Sequence, residues 1–67
     1  MRSDYIKIKK IEDHYQHYLT YTEDEASVAV YLNGARLFLN ENYTISNRTI
    51  TLNLTVKPND MIIVSYG

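Results

Sequence analysis

Two histidines three residues apart, His14 and His17, are the only imidazoles in this chain of 67 residues. On a helix that spacing would turn both rings to one face and offer two nitrogens to a metal, whereas on a strand they would face opposite sides. No obvious third ligand completes a set with them, and the absence of cysteine removes thiolate metal sites and disulfides alike. The acidic run Glu23-Asp24-Glu25 offers hard oxygen ligands, but calcium loops interleave theirs with glycine and asparagine, and these three are contiguous. They read as a solvated turn. Gly34 and Gly67 are the only glycines, so there is no phosphate-cradling loop and no serine in a glycine-flanked elbow. So short a chain also has little room for a substrate pocket between rigid walls. The residues predict no enzyme, no metal and no cofactor.

Seven tyrosines remain as chemistry of another kind. Tyr15, Tyr18, Tyr21 and Tyr31 lie close in sequence and, lining one sheet face, would stack on sugars or bases. Tyrosine is equally a favoured strand and interface residue, so packing between sheets or subunits is the preferred reading. The net charge of −1 argues against a nucleic-acid partner, which needs an excess of cations to neutralise phosphates. Charge is unevenly placed: residues 1–10 carry Arg2, Lys7, Lys9 and Lys10 against Asp4, while residues 11–25 carry only Glu12, Asp13, Glu23, Asp24 and Glu25. Asn42, Asn47 and Asn53 each open a glycosylation-type tripeptide. In a chain rich in asparagine and threonine, and with no signal-peptide core at its start, they are read as chance matches.

The elements that must position these groups are strands. Val28, Val30 and Leu32 alternate with Ala29 and Tyr31 and run into Asn33-Gly34, the pair best suited to a two-residue hairpin because both accept positive φ. The return strand is expected over residues 35–39, with Leu37 and Leu39 on one face. Asn40 to Asn42 forms a turn, residues 43–46 a short strand, Asn47-Arg48 a second tight turn, and residues 49–54 a half-buried strand with Ile50, Leu52 and Leu54 inward. Lys57 to Asp60 turns the chain into a last strand over residues 61–66, in which Ile62, Val64 and Tyr66 alternate with Met61, Ile63 and Ser65.

Nearer the start, "YIKIKK" reads as an edge strand protected by lysines, with Ile6 and Ile8 on one face. Residues 11–21 fit two templates. Ile11, Tyr15, Tyr18 and Leu19 have helical spacing, while Tyr15, His17, Leu19 and Tyr21 have strand spacing. The tyrosines favour a strand, with a helical turn allowed near residues 11–14.

The predicted fold is all-β, a compact antiparallel β-sandwich or partly open barrel of six to seven short strands in one domain spanning residues 1–67. Its expected core is Ile8, Leu19, Tyr21, Val28, Val30, Leu32, Leu37, Leu39, Tyr43, Ile45, Ile50, Leu52, Leu54, Ile62, Val64 and Tyr66. Residues beyond what one core face needs stand out: Ala29, Tyr31, Met61 and Ile63 are apolar where a lone two-layer domain would turn polar groups outward. They are expected to form an interface. A core this small gains from association, which predicts a homo-oligomer.

Residues 17–66 resemble a small β module of tailed-bacteriophage virion proteins, found near the amino termini of tail fibres and in other tail or head appendages. The resemblance rests on "LTYT" (19–22), "VAVYLNGARL" (28–37), "NYTI" (42–45), "RTITLNL" (48–54) and "PNDMIIVSY" (58–66). The chain departs from that pattern in having Asn42 where the family often has aspartate, and Asn59 where it often has glycine. The resemblance implies a structural protein located in the virion, assembled in the host cytoplasm and docked onto other virion proteins; no apolar run approaches the roughly 18 residues needed to span a bilayer, so no membrane contact is expected. Because most members are one module of a longer fibre, a chain this short is expected to be a separate small virion component. A carbohydrate- or receptor-binding module using exposed tyrosines is the alternative, and a single-strand nucleic-acid binder is a third reading that the charge disfavours.

Overall fold

Apolar alternation with period two from Val28 onward, broken by turn residues at short intervals, leaves the backbone few options other than antiparallel strands. The structure, a computed structural model, describes residues 2–22 and 24–67. In chain order the strands are β1 (Arg2–Lys7), β2 (Glu12–Asp13), β3 (Gln16–Tyr18), β4 (Val28–Leu32), β5 (Ala35–Arg36), β6 (Tyr43–Ser46), β7 (Thr49–Leu52), β8 (Thr55–Val56) and β9 (Met61–Tyr66). They form a four-stranded sheet in the order β1-β9-β4-β5, a three-stranded sheet in the order β3-β7-β6, and a two-stranded ribbon, β2-β8. Every pairing between them is antiparallel. The fold is all-β and sandwich-like.

One core joins the sheets. Val28, Val30, Ile62, Val64 and Tyr66 enter it from the four-stranded sheet, and Tyr43, Ile50 and Leu52 from the three-stranded one. Ile8, Leu19, Leu37 and Val56 close it from strand ends and the ribbon, and Tyr15, Tyr21, Leu32, Ile45 and Leu54 pack against it while partly exposed. The strand template for residues 15–21 therefore describes the chain: Tyr15, His17, Leu19 and Tyr21 turn inward or are half-buried, and Gln16 and Tyr18 are exposed.

Four expectations are corrected. The return strand does not reach residue 39. Regular pairing ends at Arg36, Leu37 N–H still donates to Val30 O, and the chain then folds into a turn in which the Glu41 and Asn42 amides donate to Phe38 O. Asn42 Oδ1 in turn accepts from Phe38 N–H. Leu39 is consequently 50 % exposed rather than in the core. A helical turn near residues 11–14 is replaced by β2, which pairs Glu12 with Val56 and Asp13 with Thr55, and His14 leaves the strand at φ 56. This ribbon also raises the strand count above seven. The bend at Asn53 and Leu54 splits the run from Thr49 into β7 and β8. A single 3-10 turn, Glu25–Ser27, leads into β4, with the Asp24 carboxylate accepting from Ala26 N–H at 3.1 Å. The acidic run is thus a turn at Asp24 and Glu25, and Glu23 lies outside the described residues.

Candidate functional site

The outer face of the four-stranded sheet is built by register. Strand β9 lies between β1 and β4, so its outward residues acquire neighbours on both sides. Tyr5 pairs with Ile63, Ile63 with Tyr31, and Tyr31 with Arg36, which makes one cross-strand row from edge to edge. The row above contains Lys7 opposite Met61, and the row below contains Ser3, Ser65 and Ala29. Tyr5 is 72 % exposed and Met61 36 %, while Ala29, Tyr31 and Ile63 are half-buried by their neighbours. The Arg36 guanidinium lies 5.9 Å from the Tyr31 ring centroid, a cation–π arrangement. Ala29, Tyr31, Met61 and Ile63 therefore share one surface, and Tyr5 belongs to it. Tyr5 eludes sequence reading because alternation gives its face but not which strand it adjoins.

At the far end of the same sheet, polar groups meet on the inner side. Asp4 sits in edge strand β1 opposite the buried Val64 and points inward, a device that discourages edge pairing with another chain. Its Oδ2 accepts from Tyr66 Oη–H at 2.5 Å and from His17 Nε2–H at 2.9 Å. Thr20 N–H donates to the same Tyr66 oxygen at 3.0 Å. Burial pushes the Asp4 carboxyl upward, but the hydrogen bonds from Tyr66 and His17 outweigh it and hold the group below its usual range. Burial, and then donation to the Asp4 carboxylate, raise the Tyr66 phenol. The Tyr21 ring meets Tyr66 edge-on at 5.0 Å, and Arg2 lies 5.0 Å over the other aromatic partner, Tyr21. Arg48 Nη2 donates to Tyr21 O, tying the second tight turn to this corner. An aspartate–histidine pair can move protons, but here its shared oxygen is occupied by a tyrosine that is 1 % exposed. The arrangement fastens the two sheets together.

A second polar clasp lies at the hairpin tip. Asn33 and Gly34 take φ of 51° and 87° between paired Leu32 and Ala35. The Asn33 amide also reaches across to the Lys57–Asp60 turn: Oδ1 accepts from Met61 N–H at 2.9 Å, and Nδ2 donates to Asp60 Oδ1 at 3.0 Å. Asp60, a buried carboxylate, also accepts from Lys57 N–H, and the hydrogen bond from Asn33 leads the effects that lower its pKa. Two turns distant in sequence are locked to one another.

The remaining candidates do not converge. His14 is exposed at a turn and His17 is engaged with Asp4, and among the described residues no three His, Cys, Asp or Glu side chains stand together to hold a metal. The four clustered tyrosines are dispersed rather than aligned: Tyr15 and Tyr21 pack against the core, Tyr18 faces outward from β3, and Tyr31 lies on the other sheet. They form no common stacking platform, because Tyr18 alternates away from its neighbours on the strand. Among the described residues no cavity opens and no helix is long and apolar enough to cross a membrane. Compared with protein-family models, curated proteins and solved structures, the chain matches none.

Proposed function

We propose that the protein is a bacteriophage virion structural protein, a small β module that docks onto other tail, neck or capsid subunits and carries out no reaction. The observation that supports it most directly is the outward row centred on Ile63, flanked by Tyr5 and Tyr31 and backed by Met61. A sheet face of this kind gains free energy by being covered, at about 25 cal/mol per Å² of apolar surface removed from water, before association costs are subtracted. The sequence resemblance over residues 17–66 supplies the biological setting. The interface residues are Ala29, Tyr31, Met61 and Ile63 together with Tyr5. Homo-oligomer formation through the same module is part of this reading.

Mass spectrometry of purified, fractionated virions tests it. The protein should co-purify with particles at fixed stoichiometry, and Ile63→Asp should reduce incorporation. Absence from particles that contain every other structural protein would refute the proposal. The carbohydrate-binding alternative draws on Tyr5, whose exposed ring stands beside Ile63. Saturable glycan-array binding lost on Tyr5→Ala would favour it.

A further inference from the structure

We infer that the outer face of the four-stranded sheet takes an acidic protein surface, apolar at its centre and carrying carboxylates on both flanks. The inference rests on the docking reading above and assigns the chemistry of the partner. Along this face Lys7 occupies β1 and Arg36 occupies β5, the two edge strands, and the positions between them are Tyr5, Met61, Ile63, Tyr31, Ala29 and two serines. No outward position on these four strands is acidic. Neither cation has a carboxylate within ion-pair distance among the described residues, although the chain carries eight acidic side chains. The described acidic groups stand elsewhere: Glu12 and Asp13 on the ribbon, Asp24 and Glu25 at the 3-10 turn, Glu41 in the turn after β5, Asp4 and Asp60 turned into polar clasps.

Three inter-strand steps separate the edges, so the backbone positions of Lys7 and Arg36 lie about 14 Å apart across the sheet and one row apart along it, with apolar residues between them. A second copy applied by the same face would bring its own Lys7 and Arg36 and no carboxylate, leaving four cations unpaired around an apolar centre. Like charges at an interface rim select against that pairing. A partner with an aspartate or glutamate on each side of an apolar ridge matches both features. Arg36 retains guanidinium donors while stacked on Tyr31, which suits it to a carboxylate fork.

The test is an NMR titration of the isotope-labelled full chain with two synthetic β-hairpin peptides that share a leucine face and differ only in carrying glutamate or lysine at the flanking positions. The glutamate peptide should shift the amides of Tyr5, Ile63, Tyr31 and Arg36 and bind at least about tenfold more tightly at low salt, a preference that shrinks at 1 M salt. Lys7→Glu combined with Arg36→Glu should reverse the preference. Equal affinity for both peptides, no binding of either, or shifts confined to other surfaces would overturn the inference. The virion experiment is independent: a glutamate preference in a protein absent from particles would refute the virion role and leave the partner chemistry standing.

Discussion

Asp4 on edge strand β1 and His17 on β3 meet at 2.9 Å, and through this contact the terminal strand of one sheet is pinned to the other sheet across the end of the core. The same carboxylate oxygen accepts the Tyr66 phenol, so removing Asp4 orphans a donor that water hardly reaches. Asp4→Ala should cost about 1–3 kcal/mol at neutral pH, the usual penalty for stranding a buried donor. The sign of the pH dependence follows from the lowered pKa. A depressed folded-state value means that stability is fully present above the unfolded value of about 3.9 and is lost as pH falls through the folded one. Urea denaturation at pH 7 and again below pH 3 should show the gap between wild type and Asp4→Ala closing on acidification; a gap that does not change with pH would refute this role.

Tyr66 sets the alkaline limit of the same clasp. Its phenol is raised by burial and by donation to Asp4, so its contribution is complete below the unfolded value of about 10 and is lost as pH rises through the folded value. Tyr66→Phe should be less stable than wild type by urea denaturation at pH 8, and the gap between the two should narrow in strong alkali.

The hairpin tip makes a prediction about backbone alone. A Cβ added at Gly34 would meet nothing within 4 Å, so the loss expected on substitution arises from φ of 87°. Gly34→Val should lower stability by about 1–3 kcal/mol, and Gly34→Asn by much less, because asparagine tolerates the left-handed region. Equal melting temperatures for the two variants would contradict this account. Asn33→Ala should be destabilising for a different reason, loss of the contacts to Asp60 and Met61, and a double-mutant cycle with Asp60→Ala should show coupling between the two turns.

Residues 37 to 39 separate what alternation encodes from what it does not. Leu37 and Leu39 are both inward by period two, and the sequence offers no way to see that Asn42 caps Phe38 N–H and turns the chain before the second leucine arrives. Leu37→Ala should therefore cost about 2–5 kcal/mol and Leu39→Ser under about 0.5 kcal/mol, measured by chemical denaturation. Similar losses at both positions would restore the longer strand.

The strands that alternate over four or more residues were legible for the same reason: Ile62, Val64 and Tyr66, or Val28 and Val30, can satisfy a core in one register only. Val56 was not, since a two-residue strand has no period to read, and yet it is fully buried. Asp4 and Asp60 were equally hidden, as their partners lie in distant elements and charge by itself suggests solvent. The candidate surface was half legible. Composition exposed Tyr31, Ile63, Met61 and Ala29, whereas Tyr5, Lys7 and Arg36 join them only once strand order is known.

Ile62 and Ile63 are adjacent in β9 and give the sharpest test of that surface. Ile62 faces the core and is buried, so Ile62→Asp places an unpaired carboxylate among apolar side chains and should abolish folding. Ile63 faces outward between Tyr5 and Tyr31, where a carboxylate keeps its water. Ile63→Asp should cost only about 1 kcal/mol, within the span of strand preferences, and leave the circular dichroism spectrum intact. It should nevertheless abolish docking, because the carboxylate would be desolvated at the centre of the contact and would face the acidic flanks of the partner. An Ile63→Asp chain that still enters particles at the wild-type level would show that this face is not the one that binds.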